Sequence, residues 1–462
     1  MNVAEELVED VDLLVVGGGK AGKTLAMDTA RAGGRVVMVE RGMIGGTCIN
    51  VACIPTKTLV TSARLARRAG SAESLGLRLG APQVDLELLR AHKDGVVSDM
   101  VELNHRQFLD SGMDFVLGSA RFVAERTVEI DLNDGGRRVV RGTDVVINTG
   151  TTPHIAAIPG LAEAEPLTSE SIMDLRRVPD RLLVIGGGYV GLEFAHMFAA
   201  FGSRVTVLER GPHLLRSEDR DIATALAAYL QEDGVELITD VSVKEVVREG
   251  ETVRVLLEDG RTLTADDVLA ATGRDPVTRG LGLEAAGVRT DDRGFVRVDE
   301  RLATDAPHTW AVGDVAGSPQ FTHVSLDDYR IVKANIAGGA RSTAGRLVPW
   351  NLFTDPELAR VGLTEEQARA TGRSIRVAKL PVKAIPRART LRETRGLWKA
   401  VVDRDTEQIL GAALLGPESA EVLSVVQTAM WAGMPFTRLR DGMIAHPTMA
   451  EGLNALFASW VD

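Results

Sequence analysis

Residues 13–41 read LLVVGGGKAGKTLAMDTARAGGRVVMVER, and residues 182–210 read LLVIGGGYVGLEFAHMFAAFGSRVTVLER. The two stretches align without a gap at an offset of 169 positions, and 14 of the 29 aligned residues are identical. Each copy runs from an apolar strand through a glycine-rich turn into an amphipathic helix, and then into a second apolar strand that ends at an acidic residue. That order predicts two βαβ units, so the chain is expected to be an α/β protein with a duplicated Rossmann-like element.

The glycines of each copy follow the spacing G-x-G-x-x-G, which places a tight turn between the first strand and the helix. They are Gly17, Gly19 and Gly22 in the first copy, and Gly186, Gly188 and Gly191 in the second. The turn lets the backbone approach a pyrophosphate closely, and the helix amino terminus faces that anion. One such motif is weak evidence, whereas two complete copies predict two dinucleotide sites.

Acidic residues end the second strand of both copies, at Glu40 and Glu209. A carboxylate at this position accepts hydrogen bonds from the ribose diol of a dinucleotide. Glu209 would repel a 2′-phosphate, which favours NAD(H) over NADP(H), but Arg210 and Arg216 lie nearby and leave NADP(H) as an alternative. The first copy carries its acid as FAD-binding repeats do. FAD and NAD(H) are therefore the expected cofactors.

Composition limits the class of protein. The chain has 462 residues, of which 45% are hydrophobic and 25% charged, and its net charge is −11. This length predicts about three domains, and the acidic balance argues against a nucleic-acid partner. No apolar run approaches the ~20 residues of a membrane span, and the first ten residues lack the basic and apolar regions of a secretory leader. Two cysteines are too few for a secreted disulfide framework, so a cytoplasmic protein is expected.

Both cysteines lie in residues 45–57, which read GGTCINVACIPTK. Pro55 suits the first turn of a helix, which is expected to run through about Arg68. Cys53 is then expected just ahead of the helix amino terminus, where the dipole and the free amides stabilise a thiolate. Lys57 adds positive charge one turn later. A buried structural pair is the alternative, and the combination of turn, cysteines, helix start and lysine favours a reactive pair.

This stretch resembles the redox-active disulfide segment of the class I pyridine nucleotide–disulfide oxidoreductases, and the resemblance covers the whole chain. It implies that Cys53 is the thiol facing the flavin and that Cys48 is the interchange thiol, which attacks the acceptor. It further implies that Lys57 lies beside the flavin and pairs with Glu193 of the second repeat. The same resemblance adds further cofactor contacts, namely Gly46, Thr47 and Lys57 for FAD and Tyr189 at the nicotinamide pocket for NAD.

Two glycine-containing segments resemble the family's crossings between domains. They are residues 147–150 (INTG) and residues 271–274 (ATGR). By this resemblance Thr149 and Gly150 contact FAD, and Gly273 contacts NAD.

Residues 310–314 (WAVGD) resemble the second FAD fingerprint of the family, in which Asp314 binds the ribityl or pyrophosphate region. These matches also predict the order of domains. The expected domains are residues 1–150 for FAD and the redox disulfide, 151–275 for NAD(P), 276–345 completing the FAD domain, and 346–462 for an α+β dimerisation domain.

Residues 445–451 (AHPTMAE) resemble the family signature H-P-T-x-x-E. The resemblance implies that His446 is the general acid/base beside the interchange thiol and that Glu451 orients its imidazole. Thiol exchange is faster when a neighbouring group carries the proton. In the family this histidine comes from the partner subunit, so a homodimer is expected, with His446 and Glu451 completing the partner's site. No resident metal site is expected.

The resemblance leaves several electron acceptors open. Residues 456–462 (LFASWVD) lack the cysteine pair of mercuric reductases, and Ile444 stands where dihydrolipoyl dehydrogenases carry a second histidine. Ala52 replaces the glycine that is common before the second cysteine. The expected acceptor is therefore not fixed by these motifs alone.

Other stretches resemble bacterial reactive chlorine resistance flavoproteins, which reduce Cu(II). They are residues 19–26 (GKAGKTLA), 53–60 (CIPTKTLV), 325–332 (SLDDYRIV), 364–368 (TEEQA) and 385–389 (IPRAR). The expected function is a flavoprotein reductase that passes electrons from NADH through FAD and the Cys48–Cys53 disulfide to Cu(II) or a related oxidant in oxidative-stress defence. The alternatives are a low-molecular-weight disulfide reductase such as dihydrolipoyl dehydrogenase, and a mercuric-reductase-like metal reductase. His323, Asp327 and Asp328 are expected to be surface polar residues.

Overall fold

A computed structural model describes residues 8–80 and 82–461 of the chain. The described residues form two compact units. The first unit contains the described part of Met1–Thr58 together with Arg90–His154 and Gly273–Arg346. The second unit contains the described parts of Leu59–Leu89 and Leu347–Asp462 together with Ile155–Thr272.

The helices range from single turns to a helix of 26 residues. In chain order they are α1 (Lys20–Arg31), α2 (Thr47–Asn50), α3 (Cys53–Gly70), α4 (Leu86–Ser111), α5 (Tyr189–Ala200), α6 (Arg220–Glu232), α7 (Thr322–Ile336), α8 (Glu365–Ala370), α9 (Pro386–Leu391), α10 (Ser419–Trp431), α11 (Phe436–Asp441) and α12 (Gly452–Leu456).

The strands belong to several separate sheets. In chain order they are β1 (Val8–Val16), β2 (Val36–Glu40), β3 (Asp114–Ala124), β4 (Thr127–Leu132), β5 (Arg137–Ile147), β6 (Thr151–Pro153), β7 (Arg181–Ile185), β8 (Arg204–Leu208), β9 (Val235–Ile238), β10 (Val243–Glu249), β11 (Thr252–Leu257), β12 (Thr262–Ala265), β13 (Asp267–Ala270), β14 (Arg274–Pro276), β15 (Thr309–Ala311), β16 (Trp350–Leu352), β17 (Glu357–Gly362), β18 (Ile375–Pro381), β19 (Leu397–Asp403) and β20 (Ile409–Gly416).

The first unit is built on a mixed sheet. Strand β1 pairs in parallel with β2 and β5, and β15 joins β5 in parallel, while β3, β4 and β5 form an antiparallel meander. Leu13, Val15 and Met38 are buried in the parallel part, as expected for strands that are covered on both faces. Leu25 of α1 and Ile331 of α7 pack in the same cluster, so both helices lie against this sheet.

The second unit contains a parallel sheet and two antiparallel ones. The parallel sheet has the order β13-β7-β8-β9, and β10, β11 and β12 form a three-stranded antiparallel sheet. The five-stranded antiparallel sheet β16-β17-β20-β19-β18 packs on the carboxyl-terminal helices. Trp398 is completely buried in that core, together with Val426 of α10 and Leu453 of α12.

Both predicted βαβ units are present. The first copy forms β1, α1 and β2, and the second forms β7, α5 and β8, each with the parallel pairing that the repeat predicts. The predicted fold class is confirmed: two Rossmann-like units and a carboxyl-terminal α+β part. The predicted domain boundaries stay a prediction.

Helix α3 differs in detail from the prediction. It begins at Cys53 itself rather than after it, and it ends at Gly70 rather than at about Arg68. The Thr56 amide donates to the Ala52 carbonyl at 3.0 Å, which closes the first turn around Cys53. Pro55 still lies within that first turn, where its missing N–H needs no partner.

Candidate active site

The two cysteines lie at the ends of a short loop in the first unit. Cys48 is the second residue of α2, and Cys53 is the first residue of α3. Both side chains are half-buried. The Cys53 Sγ lies 3.5 Å from the Thr322 Oγ1 at the start of α7, and the Cys48 thiol is hydrogen-bonded to Cys53 and to Thr322. The structure therefore holds the pair as a hydrogen-bonded dithiol.

The neighbours of Cys48 determine the direction in which the pKa of its thiol is shifted. The hydrogen bond to Cys53 raises the pKa of the Cys48 thiol, and burial and the charge of Cys53 raise it further. The Thr322 hydroxyl and the Lys23 ammonium lower the pKa of Cys48. The raising effects dominate, so Cys48 keeps its proton at neutral pH while it is paired with Cys53.

A double-glycine turn carries the cysteine loop to the first dinucleotide turn. Gly45 and Gly46 have φ angles of +91° and +81°, which side-chain-bearing residues adopt rarely. A Cβ atom on Gly46 would lie 2.8 Å from the Cα of Gly19, so the two backbones touch. Thr47 then begins α2, and its carbonyl accepts from the Val51 amide at 3.0 Å. The cysteine loop and the first dinucleotide turn thus form one continuous site.

The first glycine turn is packed against a neighbouring strand end. Gly17 has φ of +102°, and a Cβ there would lie 2.5 Å from the Asn148 carbonyl oxygen. The Asn148 Nδ2 donates to the Gly17 carbonyl at 3.1 Å, and a Cβ on Gly22 would meet that same carbonyl at 2.8 Å. The Gly18 amide donates to the Glu40 Oε2 at 2.7 Å, which orients the carboxylate at the end of β2.

The second glycine turn repeats this geometry in the second unit. Gly186 has φ of +117°, and a Cβ on Gly191 would lie 2.0 Å from its carbonyl oxygen. The Gly187 amide donates to the Glu209 Oε2 at 2.8 Å, as Gly18 does to Glu40 in the first copy. A Cβ on Gly188 would meet nothing within 4 Å, so the backbone at the start of α5 is open to a ligand.

The predicted cofactor contacts outside the two glycine turns are Thr149, Gly150 and Gly273. The Thr149 hydroxyl donates to the Val277 carbonyl at 2.7 Å, and Gly150, with φ of +69°, has open space where a Cβ would be. Gly273 lies in the first unit, where its carbonyl accepts from the His154 amide at 3.0 Å. These residues follow the ends of β5 and β13, in the segments that resemble the family's crossings between domains, and their cofactor contacts stay a prediction.

Asp314 is a buried carboxyl in the first unit. The Thr151 hydroxyl donates to its Oδ2 at 2.8 Å, and the Arg274 Nε donates to the same hydroxyl at 2.7 Å. Burial raises the pKa of Asp314, although the Thr151 hydrogen bond and the Arg274 charge oppose that rise. A carboxyl held in this way can accept a hydrogen bond from a sugar-alcohol hydroxyl.

The expectation that Asp328 is a surface residue is wrong. Its side chain is completely buried, and both carboxylate oxygens accept hydrogen bonds within the unit. The Gly313 amide donates to the Asp328 Oδ2 at 2.8 Å, and the Arg346 Nη1 donates to the Oδ1 at 2.6 Å. Asp328 therefore fixes the turn that presents Asp314.

The predicted acid/base pair lies on the second unit. The His446 Nδ1 lies 2.7 Å from the Glu451 Oε2. The imidazole is 69% exposed, whereas Glu451 is only 14% exposed. The other Glu451 oxygen, Oε1, is buried and has no hydrogen-bond partner among the described residues. The carboxylate therefore anchors one ring nitrogen of an imidazole that is otherwise accessible.

The remaining predicted residues lie on the helices that the sequence indicated. Lys57 follows Cys53 by one turn of α3. Glu193 is buried on α5, and its Oε1 accepts from the Phe353 amide at 2.9 Å. Tyr189 begins α5 and packs edge-on against Trp350, with 4.8 Å between the ring centroids, and burial raises its pKa. The pairing of Lys57 with Glu193 stays a prediction.

Sequence reasoning missed three polar residues at this site. Thr322 contacts both sulfurs, Asn148 packs the first glycine turn, and Lys23 interacts electrostatically with Cys48. The nearest signals in the sequence were residues 19–26, which contain Lys23, residues 147–150, which contain Asn148, and residues 325–332, which follow Thr322. None of these stretches identifies the contact, because each contact is made to a distant part of the chain.

Across the described residues, every helix is too short or too polar to cross a membrane.

Comparison with known proteins gives consistent matches over nearly the whole chain. Residues 11–328 match the family described as pyridine nucleotide-disulphide oxidoreductase, and residues 348–456 match its dimerisation domain. The chain is 42% identical over 453 residues to a probable pyridine nucleotide-disulfide oxidoreductase, RclA, of Escherichia coli K12, covering 96% of this chain and 98% of that protein. It is 36% identical over 449 residues to a mercuric reductase of Staphylococcus aureus, covering 96% and 81% respectively.

The comparison with solved structures agrees with these sequence matches. The fold matches a Cu(II) complex of the HOCl-induced flavoprotein disulfide reductase RclA from Escherichia coli with a TM-score of 0.90 and 41% sequence identity. The match covers 98% of this chain and 99% of that chain.

Proposed function

The chain belongs to the pyridine nucleotide-disulphide oxidoreductase family, and we propose that it passes electrons from NADH, through FAD and the Cys48–Cys53 pair, to Cu(II) or a related oxidant. The family membership that the sequence resemblance predicted is confirmed, and it makes the chain an FAD-dependent oxidoreductase that uses NAD(P)H. The match to the dimerisation domain supports a homodimer. The single observation that carries the proposal is the hydrogen-bonded dithiol, which adjoins the first glycine turn through the Gly46–Gly19 contact.

The residues present fit FAD. Glycines leave the backbone of the first turn accessible, and Glu40 is oriented by the Gly18 amide. Asp314 is a buried carboxyl that is hydrogen-bonded to Thr151, the residue that follows Gly150. In the proposal Glu40 holds the ribose diol, and Asp314 the ribityl or pyrophosphate region. Bound FAD would supply a carrier that takes two electrons from a reduced nicotinamide and can return them to a disulfide.

The fit for NADH rests on Glu209. Both of its oxygens are held by backbone amides, Oε2 by Gly187 at 2.8 Å and Oε1 by Gly211 at 2.7 Å. A carboxylate fixed in this way favours a ribose diol and repels a 2′-phosphate. Tyr189 and the open backbone at Gly188 then line the nicotinamide side of the site. We therefore assign NADH as the preferred donor.

The chain's own residues divide the thiol chemistry between them. Cys53, at the helix amino terminus, is the sulfur facing the flavin, and Cys48 is the interchange sulfur. Lys57 and Glu193 form the charged pair beside the flavin. His446 of the partner subunit takes the proton that leaves Cys48, and the partner's Glu451 orients that imidazole. The exposed, Glu451-anchored ring of His446 supports this role.

The proposed reaction with copper balances in two halves. In the first, NADH and one proton reduce the disulfide to two thiols, and NAD⁺ is released. In the second, the two thiols return to the disulfide, two Cu(II) ions become two Cu(I) ions, and two protons are released. The net reaction consumes one NADH and two Cu(II) and yields NAD⁺, two Cu(I) and one proton. The similarity to a protein solved as a Cu(II) complex supports this acceptor.

A second candidate acceptor is a low-molecular-weight disulfide such as lipoamide. Its support is the short His446–Glu451 contact, because a disulfide acceptor yields a thiolate leaving group that needs a proton donor. Copper reduction requires only that protons are removed from the dithiol.

Anaerobic NADH oxidation by the purified FAD-loaded protein, with Cu(II) and lipoamide side by side, tests the proposed acceptor. We expect fast turnover with Cu(II), two Cu(I) trapped by a Cu(I)-specific chelator for each NADH, and slow turnover with lipoamide. The Cys53→Ser variant controls for direct reduction of copper by NADH. Fast turnover with lipoamide and none above the control with Cu(II) would contradict the copper assignment.

A further inference from the structure

A buried lysine lies beneath the cysteine loop and has no part in the chemistry above. Lys23 belongs to the first turn of α1, and its side chain is only 5% exposed. The Nζ atom donates to the Gly45 carbonyl at 3.0 Å and to the Asn104 Oδ1 at 2.6 Å. Both acceptors are neutral, and among the described residues no carboxylate forms an ion pair with Lys23.

This placement is costly for a cation. Burial of an ammonium without a counter-ion is unfavourable, and the first turn of a helix carries the positive end of the helix dipole. Lys20, one turn earlier, adds like charge. Burial, and to a smaller extent the charge of Lys20, lower the pKa of Lys23 to about 8, and the charge of Cys48 opposes this shift. An anion near Lys23 would offset the cost, and Cys48 can supply it.

Cys48 and Lys23 are therefore linked in both directions. The Lys23 ammonium lowers the pKa of Cys48, and the Cys48 charge raises that of Lys23. Among the described residues, Cys53, Thr322 and Lys23 act on Cys48, and Lys20, Cys48, Gly45 and Asn104 act on Lys23. When Cys48 leaves its hydrogen bond to Cys53, the Lys23 ammonium stabilises its negative charge.

We propose that Lys23 is a positioning residue for the Cys48 thiolate: it holds the loop at Gly45 and stabilises the charge on the sulfur that attacks the acceptor. The inference rests on the proposed function, in which Cys48 is the interchange thiol. It adds a residue from α1 to the thiol site.

The test uses the FAD-loaded full chain with Cys53→Ser, because Cys48 is then its only cysteine. The rate of iodoacetamide alkylation is measured against pH with Lys23 intact, with Lys23→Met and with Lys23→Gln. Loss of the cation should move the alkylation midpoint to higher pH by about one unit in both variants. Lys333→Met, which removes an exposed lysine from the same unit, is the matched control and should leave the midpoint in place.

Three results decide the outcome. A higher midpoint in both Lys23 variants supports the proposal. The same midpoint in both overturns it. A shift in Lys23→Met that Lys23→Gln restores also overturns it, because glutamine keeps a hydrogen-bond donor but no charge. If Lys23→Met does not fold, Lys23→Gln decides alone. Alkylation does not depend on turnover, so a wrong acceptor or an inactive enzyme would refute the proposed function without affecting this result.

Discussion

Replacement of Cys53 by Ser is expected to lower NADH-dependent acceptor reduction by about 10³-fold or more, as for loss of an essential nucleophile. A single remaining thiol cannot form a disulfide, so it cannot store two electrons. Serine is close to cysteine in size and keeps a hydrogen-bonding group beside Thr322, which preserves the loop. The measurement is anaerobic steady-state turnover, with FAD content recorded by absorbance to verify cofactor binding.

Cys48→Ser serves as the companion variant. It removes the other sulfur and leaves Cys53 in place, so the proposed relay predicts the same loss of turnover. Wild-type turnover in either variant would show that the acceptor takes its electrons without the cysteine pair.

Replacement of His446 by Gln is expected to slow turnover by about 10²- to 10⁴-fold, the usual contribution of a positioned acid or base. Glutamine can still accept or donate a hydrogen bond near Glu451, but it cannot take the proton from Cys48. His308→Gln is a suitable control, because that histidine is an exposed residue of the first unit with a partner of its own, Asp144. Turnover and its pH dependence are the readouts.

A mixed dimer shows which subunit His446 serves. A dimer of one Cys53→Ser chain and one His446→Gln chain has one intact site if the histidine acts on the partner, and none if it acts on its own chain. We expect about half of the wild-type activity per dimer when the two chains are co-expressed and purified with different tags. Activity no higher than that of either parent variant would contradict a shared site.

The nucleotide turns could be predicted because their signal is local. Gly17 and Gly186 need positive φ, Glu40 and Glu209 follow at fixed distances, and the repeat supplies two independent copies. A few residues of sequence determine both the turn and the acid that it orients. The structure places both carboxylates on backbone amides of their own turns, as that local pattern requires.

The dithiol's surroundings could not be predicted in this way. Thr322 lies 269 positions after Cys53, and its contact depends on where α7 begins in the folded unit. In the sequence Lys23 looks like an ordinary solvated helix lysine, but in the structure its Nζ donates to the Gly45 carbonyl. Asp328 looked like a surface carboxylate for the same reason, since its partners Gly313 and Arg346 lie outside its own segment.

In the proposed mechanism, NADH opens a disulfide between the only two cysteines of the chain. The most direct test adds one equivalent of NADH per FAD to the oxidised protein without oxygen, quenches with an alkylating agent in denaturant, and counts labels by intact mass. We predict no label before NADH and two labels per chain after it. An equal number of labels before and after NADH would contradict the claim.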